Sequence, residues 1–147
     1  MTHSVADALL GAATRLSEKT GHNSCANSPR PPSHAMVRVA GQTPFRVLVL
    51  GTGPVVGFGV LTHELALSGY LARRIAEATG TGIDMDVVTE AALHAKNLLH
   101  LTAEVVPERY ELVMVSVGIQ DVIDCTPLDD WSADVERVLV SCAVSSL

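Results

Sequence analysis

Three stretches hold residues whose types and spacing suit chemistry. The first is Gly51-Thr52-Gly53-Pro54-Val55-Val56-Gly57, directly after the apolar run FRVLVL; glycines there permit a sharp turn and a close approach of a ligand to the backbone. The second is the small-residue turn from Thr89 to Leu93, with Glu90 and Ala92. The third is Gly118-Ile119-Gln120-Asp121, which sets an amide donor and a carboxylate just after the apolar run LVMVSV. Other reactive types are scattered. His94 and His100 are six apart, share no helix face well, and have no Cys, Asp or Glu at metal-ligand spacing. Glu64 beside His63 is equally uninformative. Asp124, Asp129, Asp130 and Asp134 could attract a divalent cation, but a solvated loop and acidic residues matching a helix N-terminus explain them more simply. Cys125 is the only thiol near these loops and has nothing basic beside it, so an idle or buried cysteine is expected. Trp131 reads as an anchor for its loop. No metal and no cofactor is expected.

These loops need a scaffold, and the chain supplies alternating elements. FRVLVLG from Phe45 is a short strand buried on both faces. Residues 65–79 form a helix with Leu67, Leu71, Ile75 and Ala78 on one stripe and Gly80 as its stop. IDMDVV at 83–88 reads as a second strand. A helix over Ala91 to Glu104 follows, buried through Leu93, Ala95, Leu98, Leu99 and Leu101 and ended by Pro107. The third strand spans Tyr110 to Val117. A last helix from about Ala133 to Ala143 follows Ser132 as N-cap. The alternation predicts a parallel sheet with right-handed crossovers, helices on both faces and ligands at the carboxyl ends of the strands.

Before this unit, residues 1–44 read as an extension. VADALLGAATRLSEK at 5–19 suits a short amphipathic helix, and the Ser-, Asn- and Pro-rich stretch to Gln42 suits a linker with little fixed structure between about 20 and 36. The domain is then 45–147.

Composition narrows the class. A chain of 147 residues holds one ordinary domain, and 48% hydrophobic residues exclude a disordered chain. The net charge is −6; the first 44 residues carry 4 basic and 2 acidic groups, the rest 6 and 14, so the acidity belongs to the hydrophobic part. Neither nucleic acid nor an anionic membrane is an expected partner. Three widely spaced cysteines, no signal-peptide pattern and no apolar stretch of about eighteen residues point to a reducing cytoplasm, without membrane insertion.

The stretches RVLVLGTGPVVGFGV, LARRIAEATG, DVVTEAALHAKNLL and LVMVSVGIQDVIDCTP, in that order, resemble the first three conserved blocks of the SGNH/GDSL hydrolases, over roughly residues 45–141. The resemblance implies a three-layer αβα sandwich with a flavodoxin-like sheet, and serine ester hydrolysis. It also sets the departures. The block Gly-Asp-Ser-Leu appears as Gly51, Thr52, Gly53 and Pro54, so Gly53 stands at the nucleophile position and at one oxyanion position. Ala92 best matches the second oxyanion glycine. Gln120 replaces the asparagine of Gly-x-Asn-Asp, with its amide one methylene further out, and only Asp121 of that pair is unchanged. The Asp-x-x-His block does not occur before Leu147. The resemblance therefore implies a degenerate, truncated domain with strands in the order 2-1-3, a cleft lined by Gly51, Thr52, Gly118, Gln120 and Asp121, and no ordinary esterase activity.

Two alternatives stay open. One is an active ester hydrolase with an unorthodox or partner-supplied catalytic group, acting on a small-molecule ester. The other is a non-catalytic small-ligand or nucleotide-binding module using the Gly51–Gly57 loop; Gly51-x-Gly53-x-x-x-Gly57 with Glu90 weakly matches a dinucleotide fingerprint, although helical periodicity starts too late for one. A third strand left at the sheet edge predicts marginal stability or self-association.

Overall fold

The computed structural model describes residues 27–144. The helix expected at 5–19 lies outside the described residues. The centre of the fold is β2 (Phe45–Gly51), whose Val47 and Val49 face one side of the sheet and Leu48 and Leu50 the other, all essentially fully buried. That double burial is what its unbroken apolar sequence specifies. On one flank it pairs in parallel with β3 (Ile83–Thr89), and on the other with β4 (Leu112–Ser116).

The sheet has a further strand. β1 (His34–Val39) pairs antiparallel with β3, from His34 opposite Val88 to Val39 opposite Ile83, and the order is β1-β3-β2-β4. The three-strand, all-parallel sheet with order 2-1-3 is thus corrected to a mixed, open sheet of four, and part of the expected linker is a strand. β1 buries only Val37 well, as an edge strand does, so its apolar signal is faint against the prolines and serines before it. The tight passage into β2 rests on Gly41, where a Cβ would lie 2.3 Å from Gly82 N.

Helices cover both faces. α1 (Leu67–Thr79) lays Ala72, Leu71, Ile75 and Ala76 over the side of Val47, Val49, Met85 and Val87. It ends where Gly80 turns left-handed at φ 69° and donates its N–H to Ala76 O at 2.8 Å. The opposite face is covered by α2 (Leu99–Ala103) and α4 (Leu128–Val144), through Leu98, Leu101 and Val138. Here the expected boundaries change. The helix expected over Ala91 to Glu104 is a 3-10 turn at Ala95–Asn97 followed by the single turn α2, although Leu93, Leu98 and Leu101 are buried as expected. The last helix begins at Leu128, not after Ser132: Pro127 precedes it and Asp129 and Asp130 sit in its first turn, a charge arrangement the helix dipole favours. A short α3 (Ile119–Ile123) joins β4 to α4. Among the described residues no helix is long and apolar enough to cross a membrane.

Asp84 and Asp86 alternate with the buried Ile83, Met85 and Val87 of β3 and need partners. Arg38 meets Asp84 at 3.4 Å, an exposed pair worth little. Tyr110 donates its hydroxyl to Asp86 at 2.6 Å, and burial, then the Asp86 carboxylate, push its phenol up to about 12. Because the folded value lies above the ordinary value of about 10, this stabilisation is complete below pH 10 and is lost as pH rises from 10 through 12. Allowing for solvent screening at this half-exposed site, urea titrations should show Tyr110→Phe flattening the alkaline decline by roughly 1 kcal/mol.

Candidate functional site

Parallel strands β2 and β4 end side by side, and the chain leaves them toward opposite faces of the sheet, the place where open α/β sheets form clefts. The junction is drawn tight by backbone contacts. Thr52 N–H donates to Ser116 O at 2.7 Å, Ser116 Oγ donates to Thr52 O at 3.0 Å, and Glu90 N–H donates to Gly51 O at 3.0 Å. A Cβ on Gly51 would lie 1.9 Å from Ser116 O, and φ is +132°, so glycine is required on both counts. Beyond it, Gly53 turns with φ +72° against Ile119.

A cavity of about 470 Å³ opens over this junction. Gly53 and Pro54 form its floor, Phe58 and Leu65 come from the loop before α1, and Ile119 and Ile123 come from α3. Its lining holds no ionisable side chain. Thr52 supplies the only hydroxyl, and that group is buried and donates to Ala91 O at 3.2 Å. Gln120 supplies the other side-chain polar group; its amide donates to Asp124 Oδ2 at 2.8 Å. The same oxygen receives His94 Nε2 at 2.8 Å, so one carboxylate gathers an amide and an imidazole at the back of the cleft.

Of the residues expected from sequence, Thr52, Gly53 and Gln120 line this cavity and Gly51 lies beneath it. Gly118 and Asp121 line instead a second cavity, about 590 Å³, on the other side of α3, together with Val117, Val122, Leu128 and Trp131. Ala92 is corrected: it is exposed, and Ala91 is the alanine that reaches the cleft. Asp121 is buried and accepts from the Ala95 N–H at 3.0 Å, which ties α3 to the 95–97 turn. Cys125 occupies the turn after α3 with φ +53° and is half-buried. Trp131 packs beside Gly118 as an anchor, with its Nε1 buried and lacking an acceptor among the described residues. In the acidic cluster, Asp134 pairs with Arg137, and no group of three His, Cys, Asp or Glu among the described residues is arranged to hold a metal ion.

Two histidines prove to be structural fasteners that local spacing did not reveal. His94 meets Asp124 from thirty residues away. His63 is fully buried, donates through Nε2 to Pro32 O at 3.0 Å and has the Ser68 hydroxyl 3.1 Å from Nδ1, pinning the cavity loop to the segment before β1. Gly59 N–H to Pro29 O at 2.8 Å and Thr89 N–H to Ser33 O at 2.8 Å continue that seam. α1 begins at Leu67, well past Gly53, so its N-terminus does not open directly from the glycine loop as a dinucleotide turn requires.

The chemical capacity is that of a binding cleft: an apolar chamber, one engaged hydroxyl and one engaged amide. Its backbone junction is the fragile part. Gly51→Ala should destabilise the fold by more than about 3 kcal/mol or prevent folding, because strain and backbone overlap act together. Gly59→Ala, at φ +92° with open space around it, should cost about 1 kcal/mol in the same urea denaturation measurement.

Compared with known proteins, the chain matches no family model, no curated protein and no solved structure.

Proposed function

We propose that this chain is an SGNH/GDSL-like domain that lacks ordinary serine-esterase chemistry and uses the cleft at the ends of β2 and β4 to bind a small, neutral, largely apolar molecule, such as a short-chain ester or alcohol. The observation that carries this reading is the lining of the 470 Å³ cavity, where the only hydroxyl is spent on Ala91 O and Gly53 stands where the family nucleophile would. The volume falls in the usual range for small-ligand sites. Neutrality follows from the lining, since a buried carboxylate or phosphate would find no cation there to offset its desolvation. Hydrolysis needs a nucleophile, a base and oxyanion donors together; here the Gln120 amide is already committed to Asp124. The parallel trio with β2 at its centre supports the kinship, and the free thiols Cys125 and Cys142, the latter with its pKa raised by burial, fit a cytoplasmic setting.

A second reading, residual hydrolysis through an unorthodox group, has the His94–Asp124 pair in its favour, because a carboxylate-oriented imidazole is a general-base arrangement.

The two are separated by one set of measurements. With p-nitrophenyl butyrate the protein should release no p-nitrophenol above background, and Gly53→Ser should add none. Octanol should raise Tm in a dose-dependent way, and octanoate at the same concentration should raise it less. Turnover that disappears in His94→Gln would replace the binding reading with the catalytic one, and the absence of any shift with octanol would remove it.

A further inference from the structure

The two edges of the sheet are unlike. β1 carries His34 and Arg38, charged or titratable groups of the kind that discourage edge-to-edge pairing. β4, with the sequence LVMVS, has neither charge nor proline, none of its residues is fully buried, and no strand lies on its outer side among the described residues. Its outward backbone groups are therefore a template for another strand.

The helix above it is segregated in the same sense. With successive residues about 100° apart around a helix, and Val138 pointing into the core, Leu128, Val135 and Leu139 fall on one flank of α4 and Asp130, Asp134 and Arg137 on the other. The charged flank holds the partly buried Asp134 and lies toward α2 and the 95–97 turn, which α4 contacts. The uncharged flank lies toward the open side of β4: Leu128 and Trp131 line the 590 Å³ cavity with Val117 at the end of that strand. Leu128 is 72% exposed, Leu139 52% and Val122 77%. The whole face, from the β4 edge across α3 to α4, is apolar and free of charge on a chain whose net charge is −6.

We propose that a second copy of this chain docks on this face about a two-fold axis, pairing β4 antiparallel with β4 and packing the uncharged flank of α4 against its counterpart. Three features favour a second copy. An unpaired β edge is self-complementary when antiparallel, and a two-fold contact needs one patch that serves both sides. Two equally anionic copies can meet closely only through a charge-free patch, whereas a basic partner would find no carboxylate within it. The axis that joins the strands also runs the two α4 helices antiparallel on one face of a continuous eight-stranded sheet, with their dipoles opposed. The charged β1 edges lie outermost, so the assembly closes at two. The pairing does not depend on what the cleft binds.

Light scattering behind size exclusion, repeated over a dilution series with the full chain, tests this. The expected mass is twice 15.5 kDa at the upper concentrations. Leu139→Glu should weaken the dimer at least tenfold, while Val140→Glu, equally exposed but on the outer face of α4, should leave it unchanged; circular dichroism establishes that both variants are folded. A monomer at every concentration, growth beyond the dimer, or equal weakening by both variants would overturn the proposal, and the first of these is also the outcome if another segment of the same chain covers β4.

Discussion

The architecture of the cleft depends on the contact between Gly51 and Ser116. Two parallel strands come so close there that no side chain fits between them, and the Thr52 N–H takes the Ser116 carbonyl as its acceptor. Everything beyond inherits its direction from that contact. Thr52 is turned down so that its hydroxyl reaches Ala91, Gly53 is turned left-handed against Ile119, and the chamber opens above them. β2 can fix this point firmly because both its faces are fully buried, each large apolar side chain contributing on the order of 1.5–3 kcal/mol. A rigid strand end with loops hung from it is the usual way for an α/β sheet to hold a site.

The second dependence runs the other way, from the segment before the parallel unit back onto the cleft. Residues 29–33 supply carbonyl acceptors to Gly59, His63 and Thr89, and Pro31 is buried against Gly57. The next six residues then pair with β3 as β1. A segment whose composition reads as spacer therefore closes one sheet edge and fastens the loop that walls the cavity. Proline suits the first task, because an X-Pro stretch is already extended and its carbonyls stay available when its nitrogen has no proton to give.

What the sequence made legible follows from how strongly each element is specified. β2 and β3 are read to within a residue because their apolar runs are dense and bounded by glycine or threonine, and α1 is stopped by Gly80, whose left-handed conformation carries the hydrogen bond that ends it. β1 escapes because an edge strand with a single well-buried residue has almost no periodic signal. The region after β3 is broken into a 3-10 turn and one turn of α-helix because Asp121 takes the Ala95 N–H from outside, an interaction twenty-six residues distant. His63 and His94 share that difficulty: their partners Pro32 and Asp124 are set by the fold and not by spacing along the chain. Ala91 in place of Ala92 is the one-residue error that a turn invites, since adjacent side chains leave it in different directions.

α3 explains why the one residue that keeps the family pattern unchanged should be Asp121. This helix is a single turn and cannot be stable alone. Its inner side gives Ile119 and Ile123 to the cleft, and Val122 stands on the face that β4 leaves open. A wall shared by two surfaces must be held from a third direction, and the buried carboxylate of Asp121 does this through the Ala95 N–H, while Gln120 and Asp124 hold the neighbouring turn. A charge-assisted bond to a backbone donor is among the stronger neutral-to-ion contacts a small fold can make, and removing its acceptor would strand a buried N–H as well. Asp121 thus retains a structural task that stands apart from hydrolysis. Its presence is compatible with the loss of the nucleophile, because the carboxylate stabilises the wall of the cleft whether or not any bond is broken inside it.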